Sequence, residues 1–410
     1  MRVTTQPLAE LNLPSLVFED QSFRDDPLPY FVAARQKHPW LASCKFGIVV
    51  TEYGAMKDLM WKDDSMRTAL SDVVGMMNAK GTPWGRFMGE QILAYHGDKH
   101  KRMRELLASA FSARQALRHR PLMRQTIAAL LDQWVPKGAF DFEEFASNFP
   151  IAVMCRLIGA PAEIIPLLRD SMETLGVTAL MLDPDVMDDA QKAAQTMFDS
   201  VEELIARRRA GERLDDEEDL LDILLAIRAS DGMSEDELLN LLVLMFVAGY
   251  DTSKNVLTLT MNVLLDHLDN YARCAIEPEF CAKVVEENFR FLSVSTVPRV
   301  TTRDIDYRDV RIPEGTMLWF PLSVAGRDPS VAPDADHFNP EREHKNRHIG
   351  FGRGMHMCLG QHIARAQIEE GLHQVAQRIT NPRRAGSNGG WRPFTGTWGM
   401  SRLPITFDPA

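Results

Sequence analysis

Phe351-Gly352-Arg353-Gly354-Met355-His356-Met357-Cys358-Leu359-Gly360, followed at once by a helix-forming run, decides how this chain is read. One cysteine closes a glycine-rich loop where a helix begins. A helix N-terminus offers unpaired N–H groups and the positive end of its dipole, and both favour S⁻ over S–H. Gly352, Gly354 and Gly360 let the backbone turn tightly and approach a flat ligand closely. A lone cysteine by itself is equally a small buried hydrophobe. The complete Phe-Gly-x-Gly-x-His-x-Cys-x-Gly spacing is what points to a thiolate held open to a metal.

Outward from that loop, the bulk properties bound the answer. A length of 410 residues suggests two or three domains, at roughly 150 residues each. No Gly/Ser- or Pro-rich linker and no internal repeat divides the chain. With 45% apolar residues it can bury a large core, so residues 1–410 read as a single domain. Met1 to Tyr30 is broken by Asp, Glu, Arg and Pro and contains neither a membrane-spanning run nor a signal peptide. A cytoplasmic protein without a membrane anchor is expected. Cys44, Cys155, Cys274, Cys281 and Cys358 are odd in number and never spaced Cys-x-x-Cys, against disulfide scaffolds and zinc sites. A net charge of −11 argues against nucleic acid as a partner.

Residues 41–53 are β-branched and aromatic-rich and predict an early strand pair. Residues 70–92 read as a loop, interleaving glycines with Met76, Met77, Trp84, Phe87 and Met88; it either covers a cavity as a lid or packs down on the surface. From Asp98 to about Leu292 the pattern is helical, interrupted by the charged run 207–222, a solvated connection. Strand-like pieces follow in 297–325 and again near the C-terminus. The fold class is therefore mainly α with a small β-rich region.

Ser234-Glu235-Asp236-Glu237 is a capping box opening an apolar helical run to about Leu268. Gly249, with Thr252 and Ser253 able to bond back to carbonyls, would weaken the helix ladder at Ala248–Ser253, or merely bend a core helix. Leu244, Val247, Ala248, Asp251, Thr252 and Asn255 share one face of it. Glu287-Asn288-Phe289-Arg290 has i,i+3 ion-pair spacing, by itself an ordinary surface pair. His100 and Arg104, four apart, read alone as part of a solvated basic face.

Taken together, these motifs resemble the cytochrome P-450 family of haem-thiolate monooxygenases, from about residue 90 to the C-terminus. The resemblance implies the single-domain P-450 fold, with a long central helix over haem b. Cys358 would be the iron ligand, in a loop framed by Phe351, Gly352 and Gly360. Thr252 would hydrogen-bond dioxygen and Asp251 would relay protons to it. Glu287 and Arg290 would be buried and joined by Arg342, from the matching segment Phe338-Asn339-Pro340-Glu341-Arg342. His100, Arg104, Arg299 and His356 would hold the two propionates, because a buried anion needs paired charge and hydrogen bonds.

The implied reaction inserts one atom of O2 into a small hydrophobic substrate. The pocket would be walled by the 70–92 segment, the stretch Leu175–Leu182 including Met181, the face Leu244, Val247 and Ala248, and Val294, Ser295, Phe394 and Thr395. With no flavin or iron–sulfur signature in the chain, electrons would come from a ferredoxin-type donor with an NAD(P)H-dependent reductase. Arg342, Lys345, Arg347 and Arg353 form a basic patch to receive it. Two rivals keep the haem: a peroxide-driven peroxygenase, disfavoured by the intact Asp251-Thr252 pair, and a non-enzymatic sensor, for which no output module remains. A third is a helical binding scaffold with a structural cysteine. The chain departs from the family at Gln367, where Glu is usual, at Ile363 in place of Leu, and at Thr296-Val297, which leave no carboxylate before Arg299.

Overall fold

Ser234 starts the element around which the rest is arranged. Its hydroxyl accepts the Glu237 N–H at 3.1 Å while the Glu237 carboxylate accepts the Ser234 N–H at 2.9 Å, the reciprocal box read from the sequence. The helix it caps, Glu235–Leu264, runs 30 residues without a break, about 45 Å at 1.5 Å per residue. Helices Phe142–Ile158, Ile165–Thr178, Met187–Arg209 and Gln361–Arg378 pack around it, so most of its side chains on every face are buried. This computed structural model describes residues 5–409 apart from 179, 181, 182, 215, 216, 231, 344–347 and 388. Among the described residues, no helix is long and apolar enough to cross a membrane.

Among the described residues, the β-rich side is a six-stranded sheet and two three-stranded ones. In the larger sheet, Leu41–Cys44 and Gly47–Val50 form the expected antiparallel pair, and Ser295–Thr301 lies between Met317–Pro321 and Gly396–Thr397. Met66–Thr68 also pairs with Ser295–Thr301, with Thr68 opposite Arg299. Trp40, Leu318 and Phe320 belong to a hydrophobic cluster beneath this sheet, apart from the main core around the central helix.

The 70–92 segment is not a loop. It folds into helices Leu70–Met76 and Pro83–Gly89 and packs inward, with Trp84, Phe87 and Met88 buried. Thr82 caps the second helix through the Gly85 N–H, and Pro83 opens it, a start signal present in the sequence. Arg86 fastens this helix to the central one, bonding Asn240 and Asp236 at 3.0 Å each, and lies over the Phe198 ring of Met187–Arg209.

Candidate active site

Two walls of one cavity carry the site, which has a volume of about 330 Å³. The first is the cysteine loop. Gly352 and Gly354 hold φ of 72° and 73°, so the chain turns where only glycine is unstrained. The Cys358 N–H closes the loop on the Phe351 carbonyl at 2.9 Å, and helix Gln361–Arg378 starts three residues later. Phe351 packs on Phe289, ring centroids 4.3 Å apart, and under the Arg365 guanidinium. The Cys358 side chain is exposed on the cavity wall. That exposure is to the enclosed cavity, whose desolvation raises the thiol pKa, against the Gly360 N–H and the charges of Arg104 and Arg365, which favour the thiolate.

The second wall is the central helix, presenting Leu244, Met245, Ala248, Gly249 and Thr252 to the same cavity. Thr252 Oγ1 donates to the Ala248 carbonyl at 2.8 Å, the bond back to the chain expected here, and the helix runs on without a break. Val294 and Ser295 also line the cavity, as expected. Val247, Phe394 and Thr395 do not line it. Phe394 is instead fully buried in an aromatic group with Phe18, Phe23, Phe31 and Trp398, where ring–ring contact outcompetes exposure to a cavity. Met181 lies outside the described residues. Ile92 and Leu93, just past the second short helix, complete the wall.

At the cavity edge the basic set comes together from three places in the chain. His100 and Arg104 ride helix Gly97–Leu107, Arg299 sits on strand Ser295–Thr301, and His356 precedes the cysteine. The His100 and His356 rings are 4.2 Å apart. Burial, with the charges of Arg104 and Arg299, pushes His100 down to about 4. Burial with the Arg299, His100 and Arg104 charges takes His356 to about 2, and neither of its ring nitrogens has a partner although both are buried. Burial lowers the half-buried Arg299 to about 10, against the Asp63 charge. Buried donors that repel one another are stable only beside an anion. Beside a cavity whose lining is otherwise mostly apolar, with an open cysteine, a flat prosthetic group carrying two carboxylates, haem, meets those requirements.

Asp251 faces away from the cavity into a cluster of charges that sequence reasoning missed. Arg392, from the C-terminal loop, donates to Asp251 Oδ1 at 2.6 Å and also pairs with Glu173. Lys254 reaches Glu173 at 2.5 Å and Glu143 at 2.8 Å, and the Tyr250 hydroxyl donates to Glu173 at 3.1 Å. Glu173 is the half-exposed member. Helix Ile165–Thr178 lies directly on the acid because residue 176 is glycine: a Cβ there would stand 2.6 Å from the Asp251 carboxyl carbon. Burial raises Asp251 to about 6, against the Lys254 charge and hydrogen bonds from Thr397 and Asn255.

Behind the cysteine loop, Glu287 and Arg290 are fully buried and bond at 2.6 and 2.8 Å. Arg290 donates further to the carbonyls of Gly326, Ala335 and His337. Arg342 joins at 3.5 Å from Glu287 and pairs with Asp334. It is thus tied into this buried cluster and does not belong to a free basic patch, while Lys345 and Arg347 lie outside the described residues.

A family model described as cytochrome P450 matches residues 177–380. The luteothin monooxygenase of Streptomyces thioluteus is 33% identical over 405 residues, covering 97% of each chain. Cytochrome P450 107B1 of Saccharopolyspora erythraea is 30% identical over 324 residues, 78% of this chain and 77% of that one. Among solved structures, P450BioI in complex with an acyl carrier protein superposes with a TM-score of 0.85 at 25% identity, covering 95% of this chain and 99% of the other. On these matches and this fold, the chain belongs to the cytochrome P450 family and is a haem-thiolate monooxygenase.

Proposed function

We propose that residues 1–410 form one cytoplasmic catalytic domain in which Cys358 ligates haem b and a compact, uncharged hydrophobic substrate is oxidised beside Ala248 and Thr252. The observation that carries this reading is a single cavity with an open cysteine on one wall and Thr252 on the other. Haem, when bound, supplies the activation of O2 and the insertion of one oxygen atom. His100, Arg104, Arg299 and His356 would hold its propionates.

The chain's own residues do the rest. Leu93, Leu244, Met245 and Val294 present an apolar wall that excludes water and takes up hydrocarbon surface, at about 25 cal/mol per Å². Among the described residues, the ionisable side chains at the cavity are Cys358 and the propionate set, which leaves none to anchor a charged substrate. The Thr252 hydroxyl, bonded to the Ala248 carbonyl, can turn to hold dioxygen. Asp251, poised near pH 6, moves a proton toward it, within the range where general acid catalysis is effective.

Electrons would come from a ferredoxin-type donor with an NAD(P)H-dependent reductase. Beside the cysteine loop, the Arg353 guanidinium lies 5.7 Å from the ring of exposed Trp61, and Met357 is exposed next to Cys358. Aromatic and Arg side chains of this kind are frequent anchors at protein interfaces.

Optical titration of the holoprotein against terpenes, aromatics, fatty acids and steroids tests the reading. A low- to high-spin Soret shift with one class supports it and selects the class. A haem spectrum unmoved by every compound would refute the proposed substrate range, and a thiolate signature surviving Cys358→Ala would refute the ligand.

A further inference from the structure

We propose that Asp63 is a positioning residue of the haem site: its carboxylate fixes the backbone of the Cys358 loop and shares the charge of Arg299 with the haem propionate. This rests on the reading of Cys358 as iron ligand and Arg299 as propionate partner.

Asp63 stands in the turn between helix Tyr53–Leu59 and strand Met66–Thr68. That strand pairs with the one carrying Arg299, Thr68 opposite Arg299, so the turn is held beside the site by sheet register. From there Asp63 Oδ2 accepts the Met355 N–H at 2.8 Å, three residues before the cysteine. The loop is pressed against this carboxylate: a Cβ on Gly354 would lie 2.6 Å from both Asp63 oxygens and from the Met60 carbonyl. Glycine at 354 is therefore demanded twice, by its positive φ and by Asp63.

Charge supplies the second half of the argument. Arg299 is half-buried at the cavity edge, and among the described residues its one hydrogen bond is a 3.4 Å contact to the Pro298 carbonyl. The charge that opposes its burial is that of Asp63. Burial raises Asp63 in turn, while the Met355 N–H and Arg299 hold it down, so the two groups support each other's ionised forms. The neighbouring Asp64 is engaged elsewhere, exposed to solvent and paired with Arg303 and Ser65. The missing carboxylate before Arg299, at Thr296-Val297, is thus replaced from a distant segment of the chain.

An amide at position 63 can still accept the Met355 N–H, which separates the two roles. In the holoenzyme, Asp63→Asn removes a negative charge near the haem and is expected to favour ferric-to-ferrous reduction roughly three- to tenfold. Asp63→Ala also frees the loop, and the reduced carbon-monoxide complex should lose its thiolate signature several times faster than in Asp63→Asn. Asp64→Asn serves as the control and should match wild type in both readouts. A potential for Asp63→Asn equal to that of Asp64→Asn would overturn the charge role, and equal decay in the Ala and Asn variants would overturn the loop role. A wild-type complex lacking the thiolate signature would overturn the Cys358 reading itself, and this proposal with it. Should Asp63→Asn fail to take up haem, Asp63→Glu, which keeps the charge, is expected to take it up; equal failure of the Glu variant would overturn charge sharing.

Discussion

Replacing Arg392 with leucine isolates the contribution of the cluster behind the central helix. Asp251 would lose the donor that stands 2.6 Å from its Oδ1. Glu173, the other partner of Arg392, would keep Lys254 and Tyr250, so no second charge is stranded. A charge-assisted hydrogen bond is worth about 1.5–3 kcal/mol, and one pKa unit is about 1.4 kcal/mol. Starting from about 6, the carboxyl should therefore rise to roughly 7–8. The assay is the pH dependence of product formation with saturating electron donor, beside an infrared titration of the buried carboxylic acid. With Asp251 as proton donor, the alkaline limb should move up by about one to two units in the Leu variant. A limb that stays within about half a unit of wild type would refute the argument that Arg392 favours the ionised form of Asp251.

Other consequences can be checked on the same holoenzyme. Glu287→Gln strands a fully buried guanidinium and should cost about 3–5 kcal/mol in chemical unfolding; a loss under 1 kcal/mol would show that the carbonyls of Gly326, Ala335 and His337 suffice for Arg290. Gly176→Ala forces helix Ile165–Thr178 away from Asp251 and should cost about 1–3 kcal/mol, read as a lowered melting temperature. Because the Asp251 pKa is raised from 3.8 to about 6, the folded state binds the extra proton between those values. Stability from this group is therefore fully present at low pH and falls by about 3 kcal/mol in all as pH rises past both values, about 2 kcal/mol of it between pH 4 and 6. Asp251→Asn should remove that slope, whatever constant offset it adds; an unchanged slope would assign it to another group.

What the sequence made legible was what is local. The capping box at Ser234, the long helix it opens and the glycine-spaced cysteine loop each depend on neighbours within a few residues, and each is found where it was expected. The helix start at Thr82-Pro83 was equally local, but the many glycines of 70–92 obscured it. Contacts made across the chain left no such mark. Arg392 meets Asp251 over 141 residues of separation, from a Gly- and Pro-rich stretch without periodicity. Asp63 meets Met355 over 292. Phe394 was expected at the cavity because of its apolar character, which serves an aromatic cluster equally well.

The group around Asp251 has a further property, visible when its members are taken as one body. Two cations, Lys254 and Arg392, face three carboxylates, Asp251, Glu143 and Glu173. The assembly is electrically neutral when it holds one proton and singly negative when it holds none. With Asp251 balanced near pH 6, these two states differ by little free energy around neutrality. Such a body is a buffer of capacity one, and in the proposed relay it would give up its proton at small cost and refill through Glu173, the member that meets solvent.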